Sequence, residues 1–137
     1  MDEREIVFID ANIFLEIILK NEKVEECKTL IRKIKNNEVE ARTSDFIIYT
    51  CLLQIQRKAK SFKIMQGFIS LIDELDGLDI IRPSLKEIYE ATRISEKYKL
   101  DFDDSLVVSC MTNNNIKKLI SFDRDFDKVK IIKRVEP

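Results

Sequence analysis

Five short apolar runs alternate with longer stretches of helical periodicity, and that alternation limits the possible folds more than any other feature of the chain. The runs are EIVFI (5–9), a weaker EVEART (38–43), LDIIRP (78–83), KKLISF (117–122) and KVKIIKRV (128–135). The first is apolar and β-branched, as expected of a buried strand. ANIFLEIILK (11–20) reads as a short helix. A break at Asn21 leads into a longer one, where Val24, Cys27, Leu30, Ile31 and Ile34 make one apolar stripe. Ser44 is a good N-cap for the apolar helix after it. A helix over roughly 61–75 puts Met65, Phe68, Ile69 and Ile72 on one side. Ser84 and Glu87 form a capping-box pattern, opening a helix with Ile88, Ala91, Ile94 and Tyr98 inward. LDFDDSLVVSCMTNNN reads as a loop and then a helix beginning near Asp103, with Leu106, Val107 and Cys110 inward. Strands alternating with helices predict one α/β domain over residues 1–137, built on a mostly parallel sheet.

Composition then removes whole classes of chemistry. The chain has no histidine, which excludes Ser-His-Asp hydrolysis and zinc sites built on imidazole. Two glycines, Gly67 and Gly77, are too few for a P-loop or a GxGxxG fingerprint. Cys27, Cys51 and Cys110 are an odd count without metal-like spacing, and read as small buried hydrophobes in a reducing cytoplasm. No apolar run approaches the ~20 residues of a bilayer span, and the acidic MDERE opening argues against a secretion signal. A net charge of -1 excludes a broadly basic nucleic-acid binder. Arg57, Lys58, Lys60 and Lys63 remain as either a local basic patch or a solvated helix face. Chemistry, if present, falls to carboxylates.

Their positions are suggestive. In parallel α/β sheets, ligands bind beyond the carboxyl ends of the strands. Asp10 follows the first run and Asp123 follows the fourth; Asp104 sits in the first turn of the helix feeding that fourth strand, so it starts at the same edge. Singly, each reads equally well as a helix cap or a strand-end residue. Jointly they read as a site. Converging carboxylates repel one another and call for a cation. Mg2+ or Mn2+ suits oxygen ligands and phosphate substrates. Phosphodiester hydrolysis is the reaction class that fits carboxylates without histidine.

In this arrangement IDANIF near the start, DDSLVVSCMTNNN late and LISFDRDF near the end resemble the motifs of PIN domains, the ribonuclease fold of VapC-type toxins of toxin–antitoxin pairs. The resemblance covers nearly the whole chain. It implies a three-layer α/β/α fold with a five-stranded parallel sheet, a divalent-metal site and single-stranded RNA as substrate. Carried across residue by residue, Asp10, Asp104 and Asp123 match the metal-binding acids; Asn12 matches the residue ordering the first, and Ser121 the hydroxyl companion of the last. It also implies a homodimer and a small antitoxin chain as partners. For these, Phe46, Ile47, Ile48, Leu52, Leu53 and Phe62 offer more apolar surface than one helix face needs.

One departure matters. Where the family places a glutamate on the helix after the second strand, SDFIIYTCLLQ has Thr50. Gln54, Asp45 and Glu16 are the nearby polar residues. At ~5 Å and an effective dielectric of about 20, losing one carboxylate removes roughly 3 kcal/mol for each unit of ionic charge. Taking one unit's worth as the net loss after compensation, that is about a hundredfold in metal affinity. Asp103 is expected to precede the helix as a cap; Asp125 and Asp127 read either as negative charge at the rim of the site or, more simply, as solvated loop acids. Two alternatives to a metal-dependent ribonuclease follow. One is a PIN-like domain without catalysis that binds RNA or protein. The other is an aspartyl phosphotransferase, which would need a second aspartate where Asn12 stands.

Overall fold

The computed structural model describes residues 5–137. Five strands, β1 (Ile6–Ile9), β2 (Glu40–Ser44), β3 (Leu78–Ile81), β4 (Lys118–Ile120) and β5 (Lys133–Val135), form one sheet in the order β3-β2-β1-β4-β5. Every pairing is parallel. The helices are α1 (Ala11–Ile18), α2 (Val24–Lys35), α3 (Asp45–Ala59), α4 (Phe62–Asp73), α5 (Leu85–Tyr98) and α6 (Phe102–Asn113), with a 3-10 turn at Arg124–Lys128. None is long and apolar enough to cross a membrane.

The strand order explains the layers. From β1 to β2 to β3 the chain steps one way across the sheet; from β3 it jumps back past β1 to β4 and β5. Right-handed crossovers therefore put α1–α4 on one face and α5–α6 on the other. The packing agrees: α1 lies against α2 and α3, α3 against α4, and α5 against α6. Phe8, Ile9, Phe14, Ile34, Ile55, Phe68, Val108 and Met111 are fully buried between these layers. Phe14 of α1 meets Phe68 of α4 edge to face, with ring centres 5.9 Å apart. α6 is buried from Ser105 to Met111 on all sides, which is why it shows no polar face. Its serines stay satisfied: Ser95 Oγ and Ser105 Oγ are 2.7 Å apart, and Ser109 donates to the Glu87 carbonyl at 2.7 Å.

Most elements form where periodicity puts them, with some differences. β5 is confined to 133–135, because residues 129–132 do not alternate: Val129 and Ile132 are buried while Ile131 is 57% exposed. Those two side chains plug the end of the core from a loop. β2 begins at Glu40 and runs through Ser44, which also caps α3 by accepting from the Ile47 N–H at 3.2 Å. Ile69 is 49% exposed, not part of the inward stripe of α4. Ser84 caps α5 as expected, its Oγ accepting from the Glu87 N–H at 3.2 Å, but the return bond differs from a capping box: the Ser84 hydroxyl donates to Glu87 Oε1 at 3.3 Å. With glycine scarce, the backbone turns at positive φ on Lys20, Asn37, Lys60, Lys99 and Asn115; Lys60 and Lys99 end α3 and α5.

Gly77 is required by close approach. A Cβ there would sit 2.4 Å from the Ile34 carbonyl oxygen and 2.8 Å from that of Val39, both backbone atoms. Gly77→Ala is therefore expected to cost about 1–3 kcal/mol of stability through overpacking, measured by urea unfolding. Gly67, with nothing within 4 Å of its Cβ position, is the control: alanine there should stabilise α4 by up to about 1 kcal/mol.

Candidate metal centre at the carboxyl edge

Strand order reverses between β1 and β4, and the ends of these two strands define the site. Such a reversal opens a crevice, since the chains leaving the two strands diverge to opposite faces. Asp10 follows Ile9 directly; its N–H donates to the Ile120 carbonyl at 3.1 Å, while Ser121 N–H donates to the Val135 carbonyl at 3.0 Å. Asp10 is only 8% exposed. Its Oδ1 accepts from the Ala11 N–H at 2.8 Å, and its Oδ2 from Ser121 Oγ at 2.6 Å and Asn12 Nδ2 at 3.3 Å. Asn12 in turn accepts from the Phe122 N–H at 3.3 Å. Ser121 Oγ also accepts from the Asp123 N–H at 3.0 Å. One buried hydroxyl thus fixes both Asp10 and the backbone that carries Asp123.

Carboxylate oxygens of Asp104, Asp123 and Asp125 lie within 4.8 Å of one another. Asp104 arrives on the first turn of α6. Asp123 caps the 3-10 turn, and its Oδ1 accepts from the Asp125 N–H at 2.9 Å, which folds Asp125 back into the group. Asp10 and Asp104 line a cleft of about 30 Å³, with Thr50, Phe46, Ile47, Val107 and Asp103. That volume admits a single water or small ion. Phe46 and Phe102 stand edge to face, ring centres 6.4 Å apart, joining the starts of α3 and α6.

No ion pair among the described residues neutralises these acids. Burial pushes Asp104 up to about 8, helped by the charges of Asp103, Asp123, Asp10 and Asp101. Burial also raises Asp10, outweighing the hydrogen bonds from Ser121 and Ala11 that favour its charged form; Asp123 and Asp103 add repulsion. Hard oxygen donors, mutual proximity and suppressed ionisation are what a divalent cation relieves. The residues present fit such an ion.

The sites expected from sequence fare differently. Asp104 and Asp123 converge, Asp10 borders them, and Asn12 and Ser121 hold Asp10. Asp125 is exposed and joins the cluster at its rim. Asp103 does not precede the helix: α6 starts at Phe102, so Asp103 lies in its first turn, accepting from the Asp104 N–H at 3.0 Å. Asp127 pairs with Arg134, Oδ1 to Nε at 3.0 Å. None of the substitutes for a helix glutamate reaches the cleft. Glu16 accepts from the Lys23 N–H at 2.8 Å, Asp45 faces Arg82 at 3.9 Å, and Gln54 accepts from Arg57 at 2.6 Å. Of these positions on α1 and α3, Thr50 is the one that lines the cleft. Beneath it, the Cys51 thiol points at the Ala11 carbonyl at 3.8 Å, and burial with the charge of Asp10 raises its pKa, so it stays a neutral thiol.

The raised Asp104 has a definite consequence for stability. Its folded pKa of about 8 exceeds the ordinary 3.8, so the folded chain holds a proton that the unfolded chain releases. The stability linked to that proton is full below pH 4 and lost as pH rises through about 8. In chelator, Asp104→Asn is expected to melt with the native protein under acidic conditions and above it under alkaline ones. A melting difference independent of pH would contradict this.

Comparison with known proteins agrees with this architecture. No curated protein matches the chain by sequence. Among solved structures, the fold is similar to VapC20 of Mycobacterium tuberculosis, a sarcin-ricin loop cleaving toxin, with a TM-score of 0.80 at 14% identity over 96% of this chain and 99% of that one. It is similar to VapBC2 of Rickettsia felis, solved bound to a promoter DNA fragment, with a TM-score of 0.70 at 18% identity over 96% and 98% of the two chains. A toxin–antitoxin complex from Klebsiella pneumoniae gives 0.71 at 14% identity over 96% and 99%. At these identities the likeness is one of fold. The family model for the PIN domain, however, matches residues 7–132 directly, and with strand order and acidic edge already in place, the chain belongs to the PIN domain family.

Proposed function

We propose that this protein is a divalent-metal-dependent ribonuclease that hydrolyses phosphodiester bonds in single-stranded RNA, acting as the toxin of a toxin–antitoxin pair. The observation that carries the reading is the carboxylate cluster of Asp104, Asp123 and Asp125, gathered within 4.8 Å without a neutralising cation among the described residues. Asp10, Asp104 and Asp123 are the proposed metal-holding residues, with Asp125 joining them. Mg2+ or Mn2+, when bound, supplies an acidified water and positive charge opposite the phosphoryl oxygens. Asp10 is presented by Ser121 and Asn12 in one orientation, so little motion is needed to receive an ion. Phe46, backed by Phe102, walls the cleft with apolar surface, lowering the local dielectric and strengthening each charge interaction inside. Thr50 offers a neutral hydroxyl in that wall. Similarity to toxins and toxin–antitoxin complexes supports an antitoxin partner. Of the six residues expected to supply an interface, Leu53 at 66% and Phe62 at 69% are exposed, while Ile47 is buried and Phe46, Ile48 and Leu52 pack against the core; Leu85 at 84% and Tyr89 at 66% on α5 add exposed apolar surface for an antitoxin or a homodimer.

The position of Thr50 favours a second reading. A cleft lacking one carboxylate suits a PIN domain that binds RNA or protein without cutting. The two separate on direct assay. With Mn2+, the native protein is expected to cleave single-stranded RNA, chelator to stop it, and Asp104→Asn to reduce it by more than about a hundredfold. Cleavage surviving Asp104→Asn removes the proposed site; RNA binding without cleavage supports the second reading. Restoring the missing charge with Thr50→Glu is expected to lower the Mn2+ midpoint by about a hundredfold, a net gain of roughly 3 kcal/mol once desolvation of the new carboxylate offsets about half of its attraction to a divalent ion. An unchanged midpoint in calorimetry would take Thr50 out of the metal's surroundings.

A further inference from the structure

The α3–α4 hairpin carries an uncompensated positive charge. Residues 46–72 contain no aspartate or glutamate, in a chain with 25 acidic residues. Their charges are Arg57, Lys58, Lys60 and Lys63, all at the hairpin tip and all exposed. No ion pair among the described residues involves any of them. The other basic run, Lys128, Lys130, Lys133 and Arg134, is flanked by acids, with Arg134 paired to Asp127 and Glu136, and the overall charge of the chain is -1. A solvated helix face of this protein would be expected to mix both signs, as α2 does with Glu25, Glu26, Arg32 and Lys33.

Phe62 stands among these cations at 69% exposure, at the first position of α4. It opens onto a depression of about 260 Å³ lined also by Gln56, Lys60, Ser61 and Met65. An aromatic face, an amide, a hydroxyl and a cation around one shallow space are the groups that hold a nucleobase: stacking, edge hydrogen bonds and an adjacent phosphate contact.

The hairpin also connects with the acidic edge. Thr50 and Arg57 are seven residues apart on α3, hence on nearly the same helix face and about 10 Å apart along its axis. Gln54 lies between them and accepts a hydrogen bond from Arg57 at 2.6 Å. A strand with one phosphate at the carboxylate cleft has flanking nucleotides within reach of the tip. A polyanion needs this separation, because the cleft's own acids repel every phosphate not bridged by a cation. The geometry points to a second RNA subsite on the hairpin tip: Lys58, Lys60 and Lys63 neutralise phosphates of the single strand flanking the cleavage position, and Phe62 stacks one of its bases. The inference rests on the ribonuclease reading for its choice of RNA.

The test is a binding measurement, which separates it from that reading. Fluorescence anisotropy of a short fluorescein-labelled single-stranded RNA of mixed sequence is followed in chelator over a salt titration, using the full chain. The variant K58Q/K60N/K63Q removes three cations; asparagine is chosen at Lys60 because that residue has φ 50°, a conformation asparagine tolerates. Affinity is expected to fall at least about tenfold and the slope of log affinity against log salt to flatten by about 2, roughly 0.7 for each phosphate left without its lysine. Phe62→Ala is expected to weaken binding about fivefold or more without altering the slope. Lys33→Gln with Lys35→Gln, at the far end of α2, should change neither. Equal binding by native protein and tip variant overturns the inference, even if the protein cleaves RNA. Tip-dependent binding without any cleavage upholds it while the nuclease reading falls. A tip that ignores RNA yet captures an acidic peptide would make it a protein-docking surface, and overturn the inference too.

Discussion

The hydrogen bond from Ser121 Oγ to Asp10 spans the point where the sheet changes direction, and much of the molecule is organised about it. Asp10 is nearly sealed from water, and a buried carboxylate without partners would shed its charge or destabilise the fold. Ser121 supplies the partner from the neighbouring strand, at 2.6 Å, while its own oxygen receives the Asp123 N–H. The bond exists only because β1 and β4 are adjacent and parallel, with Ile9 beside Ile120. Fold and site therefore stand or fall together. A register slip of one residue would turn Ser121 to the other face and leave Asp10 unsatisfied.

Around that fixed pair, burial and mutual repulsion both disfavour the charged acids. Asp104 comes from α6, Asp123 and Asp125 from the 3-10 turn, and for Asp104 loss of water is the larger of the two effects. The surrounding packing supplies the compensation: α6 is buried from Ser105 to Met111, and Phe126 anchors the 3-10 turn in the core. The acids are thus held by apolar contacts some distance away. Charged groups held in place by a rigid apolar scaffold are the usual arrangement for a preorganised edge.

Much of this is legible in the residues. Asp10, Asp104 and Asp123 follow from one rule about strand ends, applied to runs whose periodicity is clear. The parallel sheet follows from strand–helix alternation. Asp125 and Asp127 read alike as rim or loop acids in DRDFDK; a 3-10 turn that brings position i+2 back beside position i separates them, placing Asp125 with the cluster while Asp127 pairs with Arg134. Asp103 is misplaced by composition because Phe102, an aromatic residue, fills the first helical position, which composition alone assigns to a polar residue. The end of the chain misleads for a different reason: KVKIIKRV has strand composition, yet Val129 and Ile132 are three apart and follow the core's boundary instead of a pleat. Thr50 is located by its distance from Ser44, and its place in the cleft wall needs the packing of α3 against α1.

The scarcity of glycine has an effect on the hairpin beyond backbone geometry. A left-handed turn at the end of α3 is ordinarily glycine's task, since a side chain there costs on the order of 1 kcal/mol. Lys60 accepts that conformation at φ 50°. With φ reversed, its Cβ leaves the backbone in a direction that helical residues do not use, and the exposed side chain borders the depression beside Phe62. A glycine would make a calmer turn and a blunter, less charged tip; thermal robustness and tip charge are opposed at this single bend.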